Sequence, residues 1–185
     1  MKLLFLDTET TGFPKDWKKP PSDFENWPRV VEIGVILNDE SGLNPAATDC
    51  IIKPNGFEIP EDASKIHGIT TERALTEGRE ATEIFELLYS LMRDADYIVG
   101  HNIQFDIKCV SAEFARLGFE LLEYKSLCTM NRARKIFPKW PKLGELYKKL
   151  HGKDFVDAHR AGADIAATSE CFYTMASMDM FEELK

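Results

Sequence analysis

An apolar run that ends in paired acids constrains this chain more than any other feature. The sequence opens MKLLFLDTETTG. Leu3 to Leu6, with Lys2 ahead of them, read as a strand over Lys2–Leu6. Asp7 and Glu9 follow one residue apart, just before a Thr-Gly turn. Side chains alternate along a strand, so the two carboxylates share a face. Acids aimed at one point at the end of a buried strand need partners, because an unpaired carboxylate is costly away from water.

The following segments predict an α/β architecture. Val30–Leu37 (VVEIGVIL) reads as a second strand and Thr48–Lys53 as a weaker third. Between the first two lies FPKDWKKPPSDFENWP, whose four prolines and two tryptophans suit a long ordered loop. Asn38–Ala47 contains Gly and Pro and suits a hairpin connection. Ala81–Arg93 has helical periodicity through Ile84, Leu87, Leu88 and Leu91. Tyr97–Val99 is a short strand leading into Gly-His-Asn. Asn102 suits an N-cap for a helix that runs to about Leu117, where Gly118 stops it. Thr129–Phe137 and Leu143–Leu150 read as two short helices, and Arg160–Met178 as a closing one. Strands first, then strands and helices mixed, predict a mixed sheet flanked by helices. The 185 residues, 44% of them apolar, suffice for one domain with a sizeable core over residues 1–185.

Two aspartates fall where apolar residues belong. Ile103, Ile107, Val110, Phe114 and Leu117 form a helix stripe, and Asp106 lies on it. Ala161, Thr168, Cys171 and Met175 share a face of the last helix, and Asp164 lies on that one. An aspartate near a helix start can satisfy helix amides and the dipole, which suits Asp106 better than Asp164. Taken together with Asp7 and Glu9, they make four acids able to converge at the carboxyl ends of neighbouring strands. Such a set cannot ionise fully without cations. Hard oxygen donors with no cluster of Cys or His point to two Mg²⁺ or Mn²⁺ ions, an arrangement suited to phosphodiester cleavage. His159, five residues before Asp164, sits where it can act as a general base.

Charge and cysteines narrow the class further. The net charge of −8 argues against a protein that coats nucleic acid indiscriminately. Between Lys125 and Lys153, nine Lys or Arg face one acid, so a +8 band sits on a −16 remainder. Such a band either steers a polyanion or is the solvated face of the two short helices. The four cysteines, Cys50, Cys109, Cys128 and Cys171, form no close pair, which suits a reducing cytoplasm. MKLLFL begins like a signal peptide, but Asp7 interrupts it before the roughly 7–15 apolar residues such a segment needs. No stretch approaches the roughly 20 apolar residues of a membrane span, and no membrane partner is expected.

DTETTG with Asp7 and Glu9, HNIQFD with Asp106, and HRAGAD with His159 and Asp164 resemble the three motifs of the DEDDh 3′–5′ exonucleases. That group includes the proofreading epsilon subunit of bacterial DNA polymerase III. IHGIT, Ile66–Thr70, is similar to a fourth segment that contacts the terminal nucleotide in the family. A sister branch carries tyrosine four residues before the last Asp; here Arg160 stands there, which indicates the histidine branch. The resemblance implies a ribonuclease-H-like mixed sheet of about five strands flanked by helices. It implies a catalytic set of His159, Asp7, Glu9, Asp106 and Asp164. Asp7, Glu9 and Asp164 hold one metal, Asp7 bridges to the second, and Asp106 assists through water. His159 deprotonates the attacking water.

By the same resemblance, Thr8, Thr10 and Gly12 approach the terminal nucleotide. His67, His101, Asn102 and Phe105 line the strand's path, with Phe105 able to stack on a base. The implied partner is a single-stranded DNA or RNA 3′ end, with DNA preferred, and a DNA polymerase is a second partner. An RNA exonuclease and a non-catalytic nucleic-acid or polymerase-binding module are the alternatives. The Phe13–Pro28 loop is longer than in compact relatives, and Trp17 and Trp27 in it are expected to cover the sheet edge rather than stack on substrate. The proofreading subunit carries a polymerase-binding tail, and none is expected in the residues up to Lys185.

Overall fold

The computed structural model of the chain describes residues 1–38, 46–156 and 158–184. Strand β1 runs over Leu3–Thr10 and is antiparallel to β2, Val30–Asn38. β2 pairs in turn with β3, Ala46–Ile51, also antiparallel. Three helices follow: α1 (Glu61–His67), α2 (Thr71–Glu77) and α3 (Ala81–Asp94). β4, Tyr97–Gly100, lies parallel to β1 and leads into α4, Ile103–Arg116. β5, Ser126–Cys128, is parallel to β4. The remaining helices are α5 (Thr129–Arg132), α6 (Leu143–His151) and α7 (Ala161–Ser177). The sheet order is β3-β2-β1-β4-β5, a five-stranded mixed sheet as expected.

The alternation of β1 divides the core into two layers. Leu4 and Leu6 pack with Phe85 and Leu88 of α3 and with Ile103 and Ile107 of α4. Leu3 and Phe5 pack on the other face, with Leu146 of α6 and Ile165 and Phe172 of α7. Asp7 and Glu9 continue the odd-numbered series, so they point to the α7 side. A smaller cluster of Val31, Ile51, Ile59, Ala63, Ile69 and Ala74 seats α1 and α2 against β2 and β3.

Two close approaches set the site. Gly34, opposite Asp7 in the β1–β2 register, lies so near α7 that a Cβ there would be 2.4 Å from the Ala161 carbonyl oxygen. The start of α7 is thus pressed against the sheet beside Asp7. On the other side β4 pairs with β1 only from Leu3 to Phe5. The chain turns at Gly100, where a Cβ would be 2.8 Å from the Leu6 carbonyl oxygen, and α4 begins. The second half of β1 therefore has the first turn of α4, not a strand, as its neighbour on that side.

Several expectations needed correction. β1 does not stop at Leu6; pairing with β2 continues to Thr10, and a bulge falls between Glu9 and Thr10. The acids are therefore held within a paired strand, not just after it. β3 starts at Ala46 rather than Thr48 and stops at Ile51, after which Ile52 bridges to Arg79. Thr129–Phe137 is not one helix: α5 gives way to a 3₁₀ turn over Ala133–Lys135. Asn102 precedes α4 but makes no side-chain cap bond; it takes a left-handed conformation, φ 65°, to turn the chain out of β4. The predicted stop is present, with Gly118 at φ +79°. The Phe13–Pro28 loop is ordered, with one 3₁₀ turn at Phe24–Asn26. Residues 39–45 of the expected hairpin connection lie outside the described residues.

Candidate active site

The site is assembled from β1 and from the starts of α4 and α7. Asp7 and Glu9 are half-buried between buried Thr8 and Thr10. The bulge after Glu9 ends the regular register and turns the chain toward Gly12, a use of bulges common beside active sites. From α7, the Asp164 carboxylate accepts the His159 N–H at 3.0 Å. Glu9, His159 and Asp164 each bring a donor atom to within 4.8 Å of the others. His159 holds a left-handed backbone, φ 69°, which is unusual for a residue with a Cβ and concentrates at functional sites.

The start of α7 is anchored by a residue that the sequence reading passed over. Glu32, fully buried and opposite Glu9 in the β1–β2 register, accepts the Arg160 guanidinium and the Ala161 N–H at 2.9 Å. Its position in VVEIGVIL, an acid inside an apolar strand, was the available signal.

Asp106 comes in along the sheet edge that β4 leaves open. It is buried, and one carboxylate oxygen accepts the Thr8 N–H at 3.0 Å and the Thr8 hydroxyl at 2.8 Å. A backbone donor that lacks a strand partner is thus satisfied by a side chain. Asp106 lies in the first turn of α4, yet its carboxylate ties that helix to β1.

Crowding raises every carboxyl of the set. Burial pushes Asp7 well above the usual range, with the charges of Asp106, Asp164, Glu9 and Glu32 adding to it. Burial, then Asp164 and Glu32, raises Glu9 to about 8. Burial lifts Asp106 to about 7 against the stabilising Thr8 bonds. Asp164 is also raised by burial, against the pull of the His159 amide and side chain. Nearby like charges in a poorly solvated place favour the protonated form. The same oxygens form a donor set for hard divalent cations, so the residues fit the metal chemistry the motifs imply.

A cleft of about 370 Å³ opens beside this cluster. Its wall includes Thr8, Glu9, Thr10, Gly12, His67, Phe105 and His159, all anticipated from the sequence. His67 is buried; its Nδ1 accepts the Ile69 N–H at 3.1 Å, which leaves the proton on Nε2, and burial lowers its pKa. Two anticipated substrate residues lie elsewhere. His101 has Nδ1 3.0 Å from the Thr129 hydroxyl and Nε2 3.0 Å from the Pro141 carbonyl oxygen, so it bridges segments away from the cleft wall. Burial lowers its pKa to about 4. Asn102 is exposed at the turn into α4 and is not on the wall. Thr11, Phe13, Asp62, Ala63 and Ile66 complete the wall without having been singled out; Thr11, inside DTETTG, Ile66, inside IHGIT, and Phe13, next to Gly12, carried a sequence signal.

The tryptophans divide. Trp27 is buried within the core and donates its indole N–H to the Pro20 carbonyl at 3.1 Å, so it packs inward where a cover for the sheet edge was expected. Trp17 is half exposed. Among the described residues, three of the nine cations of the basic band are paired: Arg132 with Glu183, Lys139 with Glu145 and Lys148 with Asp154. No helix among the described residues is long and apolar enough to cross a membrane.

Four carboxylates and a histidine lie together beside a cleft, on a mixed sheet with helices on both faces. A sequence model of the RNase T exonuclease family matches residues 4–172, and the chain belongs to that family. It is 33% identical over 141 residues to the DNA polymerase III subunit epsilon of Buchnera aphidicola, covering 74% of this chain and 57% of that protein. It is 30% identical over 176 residues to the subunit epsilon of Treponema pallidum, covering 92% and 74%. Among solved structures, Escherichia coli exonuclease I in complex with a dT13 oligonucleotide superposes with a TM-score of 0.76 at 22% identity, covering 99% of this chain and 43% of that one. The fold is therefore ribonuclease-H-like. The chain spans about half the length of the first of these relatives and less than half of exonuclease I.

Proposed function

We propose that the chain, as one exonuclease domain, removes nucleoside 5′-monophosphates from single-stranded DNA 3′ ends with the help of two Mg²⁺ or Mn²⁺ ions. The observation that carries this reading is the approach of Glu9, His159 and Asp164 to within 4.8 Å of one another at the mouth of the cleft. Asp7, Glu9 and Asp164 would hold one ion, and Asp7 with Asp106 the second, Asp106 through water. Bound ions supply charge stabilisation for the attacking and leaving oxygens of the displacement.

The chain's own groups supply the rest. His159 takes the proton of the attacking water, and the Asp164 bond to its amide fixes the backbone that carries the ring. His67 lines the cleft beside the place of the terminal nucleotide, and Phe105 offers a ring face to a base. The Thr10 hydroxyl, which donates to the Gly12 carbonyl at 2.7 Å, shapes the turn against which that nucleotide lies. The four free cysteines suit a cytoplasmic location. A DNA polymerase partner belongs to this reading on the strength of the curated relatives' names.

The test uses single-stranded DNA and RNA of matched sequence, labelled at the 5′ end and digested with Mg²⁺ or Mn²⁺. A ladder shortening from the 3′ end, faster on DNA and lost in EDTA and in Asp7→Ala, is expected. Cleavage that survives EDTA or Asp7→Ala overturns the metal mechanism. Faster digestion of RNA reassigns the substrate, and binding without cleavage makes the chain a non-catalytic module.

A further inference from the structure

An exposed aromatic strip leads out of the cleft, and only its Phe105 takes part in the reaction described above. Phe13 and Phe105 stand on the cleft wall with ring centroids 6.0 Å apart. Trp17 touches both from outside, 6.2 Å from Phe13 and 5.7 Å from Phe105. Behind it, the buried Trp27 meets Trp17 edge-on at 6.5 Å. Phe13 keeps 77% of its surface exposed and Trp17 51%. Rings left this open next to a cleft mark a contact surface rather than core.

The loop that carries Trp17 is fastened in place. Asn26 accepts the Asp16 N–H at 2.8 Å and donates to the Asp16 carbonyl at 2.9 Å. Lys108 of α4 donates to the Trp17 carbonyl at 3.3 Å, and Arg116 to the Trp27 carbonyl at 2.7 Å. Ordering cost is therefore already met before any ligand arrives. Lys15, Lys18 and Lys19 stand exposed close to Trp17 in the sequence, against one exposed acid, Asp16, in an acidic chain. Aromatic faces bordered by cations suit unpaired bases on a phosphate backbone.

We propose that Phe13, Trp17 and Phe105 form a stacking strip for single-stranded nucleic acid upstream of its 3′-terminal nucleotides, with Trp17 as the outer platform. This rests on the exonuclease reading for the direction of the strand. The strip holds bases by their π-faces, so it adds affinity for longer strands without selecting a sequence. Trp17, unlike the buried Trp27, then serves substrate.

The full chain is tested as wild type, Trp17→Ala and Trp17→Phe in EDTA, where the metal-dependent reaction is off. Binding of fluorescein-labelled dinucleotide and octanucleotide thymidine is measured by anisotropy, with tryptophan quenching alongside. Trp17→Ala is expected to weaken octanucleotide binding by about 5- to 100-fold and dinucleotide binding by less than about twofold. Trp17→Phe should recover most of the loss, and the salt dependence should stay the same because no phosphate contact is removed. Equal loss at both lengths makes Trp17 a support for the cleft and overturns the proposal, as does no loss at either. A wild type that binds no oligonucleotide overturns it too. Length-dependent binding in a protein that cleaves nothing with Mg²⁺ or Mn²⁺ would uphold the strip while the exonuclease reading failed.

Discussion

Glu32 and Arg160 join the middle of β2 to the residue just before α7. The Glu32 carboxylate accepts the Arg160 guanidinium and the Ala161 N–H, and it is fully buried. Arg160 directly follows His159, so this clamp sets where the imidazole stands. Glu32→Gln preserves shape but removes the charge that holds the guanidinium. We expect a loss of about 1–3 kcal/mol in stability, in line with hydrogen bonds to charged groups. We also expect kcat to fall by about tenfold or more, as positioning losses do, with little change in oligonucleotide KM. Denaturant melts and steady-state digestion of a short DNA would check both.

Thr8 binds Asp106 twice, through its N–H and through its hydroxyl. Thr8→Val removes only the hydroxyl bond. Because that bond favours the ionised carboxylate, its loss should raise the Asp106 pKa above about 7 in the metal-free protein and move the onset of Mg²⁺ binding to higher pH. A calorimetric Mg²⁺ titration whose pH dependence matches wild type would show that Asp106 does not govern metal uptake.

Stability of the metal-free protein should depend on pH in a defined window. Glu9 ionises near 4.5 when unfolded but is held protonated up to about 8 in the fold. Between those values the folded chain binds more protons, so its stability falls as pH rises and is lowest above pH 8. Divalent metal binding follows the opposite trend, since it requires the ionised form. Glu9→Gln should therefore stabilise the metal-free protein at alkaline pH by at least about 1 kcal/mol, roughly 2–4 °C in Tm, and have little effect at acid pH. Calorimetry in EDTA across the window would read this directly.

His159 has its imidazole near Glu9 and Asp164, which leaves two roles open to measurement. For His159→Ala we expect kcat to fall by about 10²–10⁴ while Mg²⁺ affinity, read by calorimetric titration, stays near wild type. A parallel loss of metal binding would make the histidine a ligand instead of a base.

The acids were legible because their signals are local. Asp7 and Glu9 end an apolar run, and Asp106 and Asp164 interrupt helical stripes. What joins them is not local. The Thr8 and Asp106 partners lie 98 residues apart, and Glu32 and Arg160 lie 128 apart. His101, placed on the strand's path by the resemblance, bonds to Thr129 and Pro141, partners far along the chain that no local signal reveals. α1 and α2, seven residues each, are too short to display a period, and β5 has only three residues. Their positions come from packing on the sheet. Asn102 failed as a cap because the turn out of β4 demands a left-handed residue, a requirement set by the neighbouring strand.

The early end of β4 has a further consequence. Because α4 reaches β1 at the edge that β4 leaves open and α7 reaches it across the sheet face beside Gly34, the four acids come together only when both helices are docked. As the chain leaves the ribosome, β1 emerges with its two acids long before Asp106, and the helix carrying Asp164 comes after every other element that supplies the site. If the chain acts as proposed, the four acids are not all in place until that helix docks against Gly34.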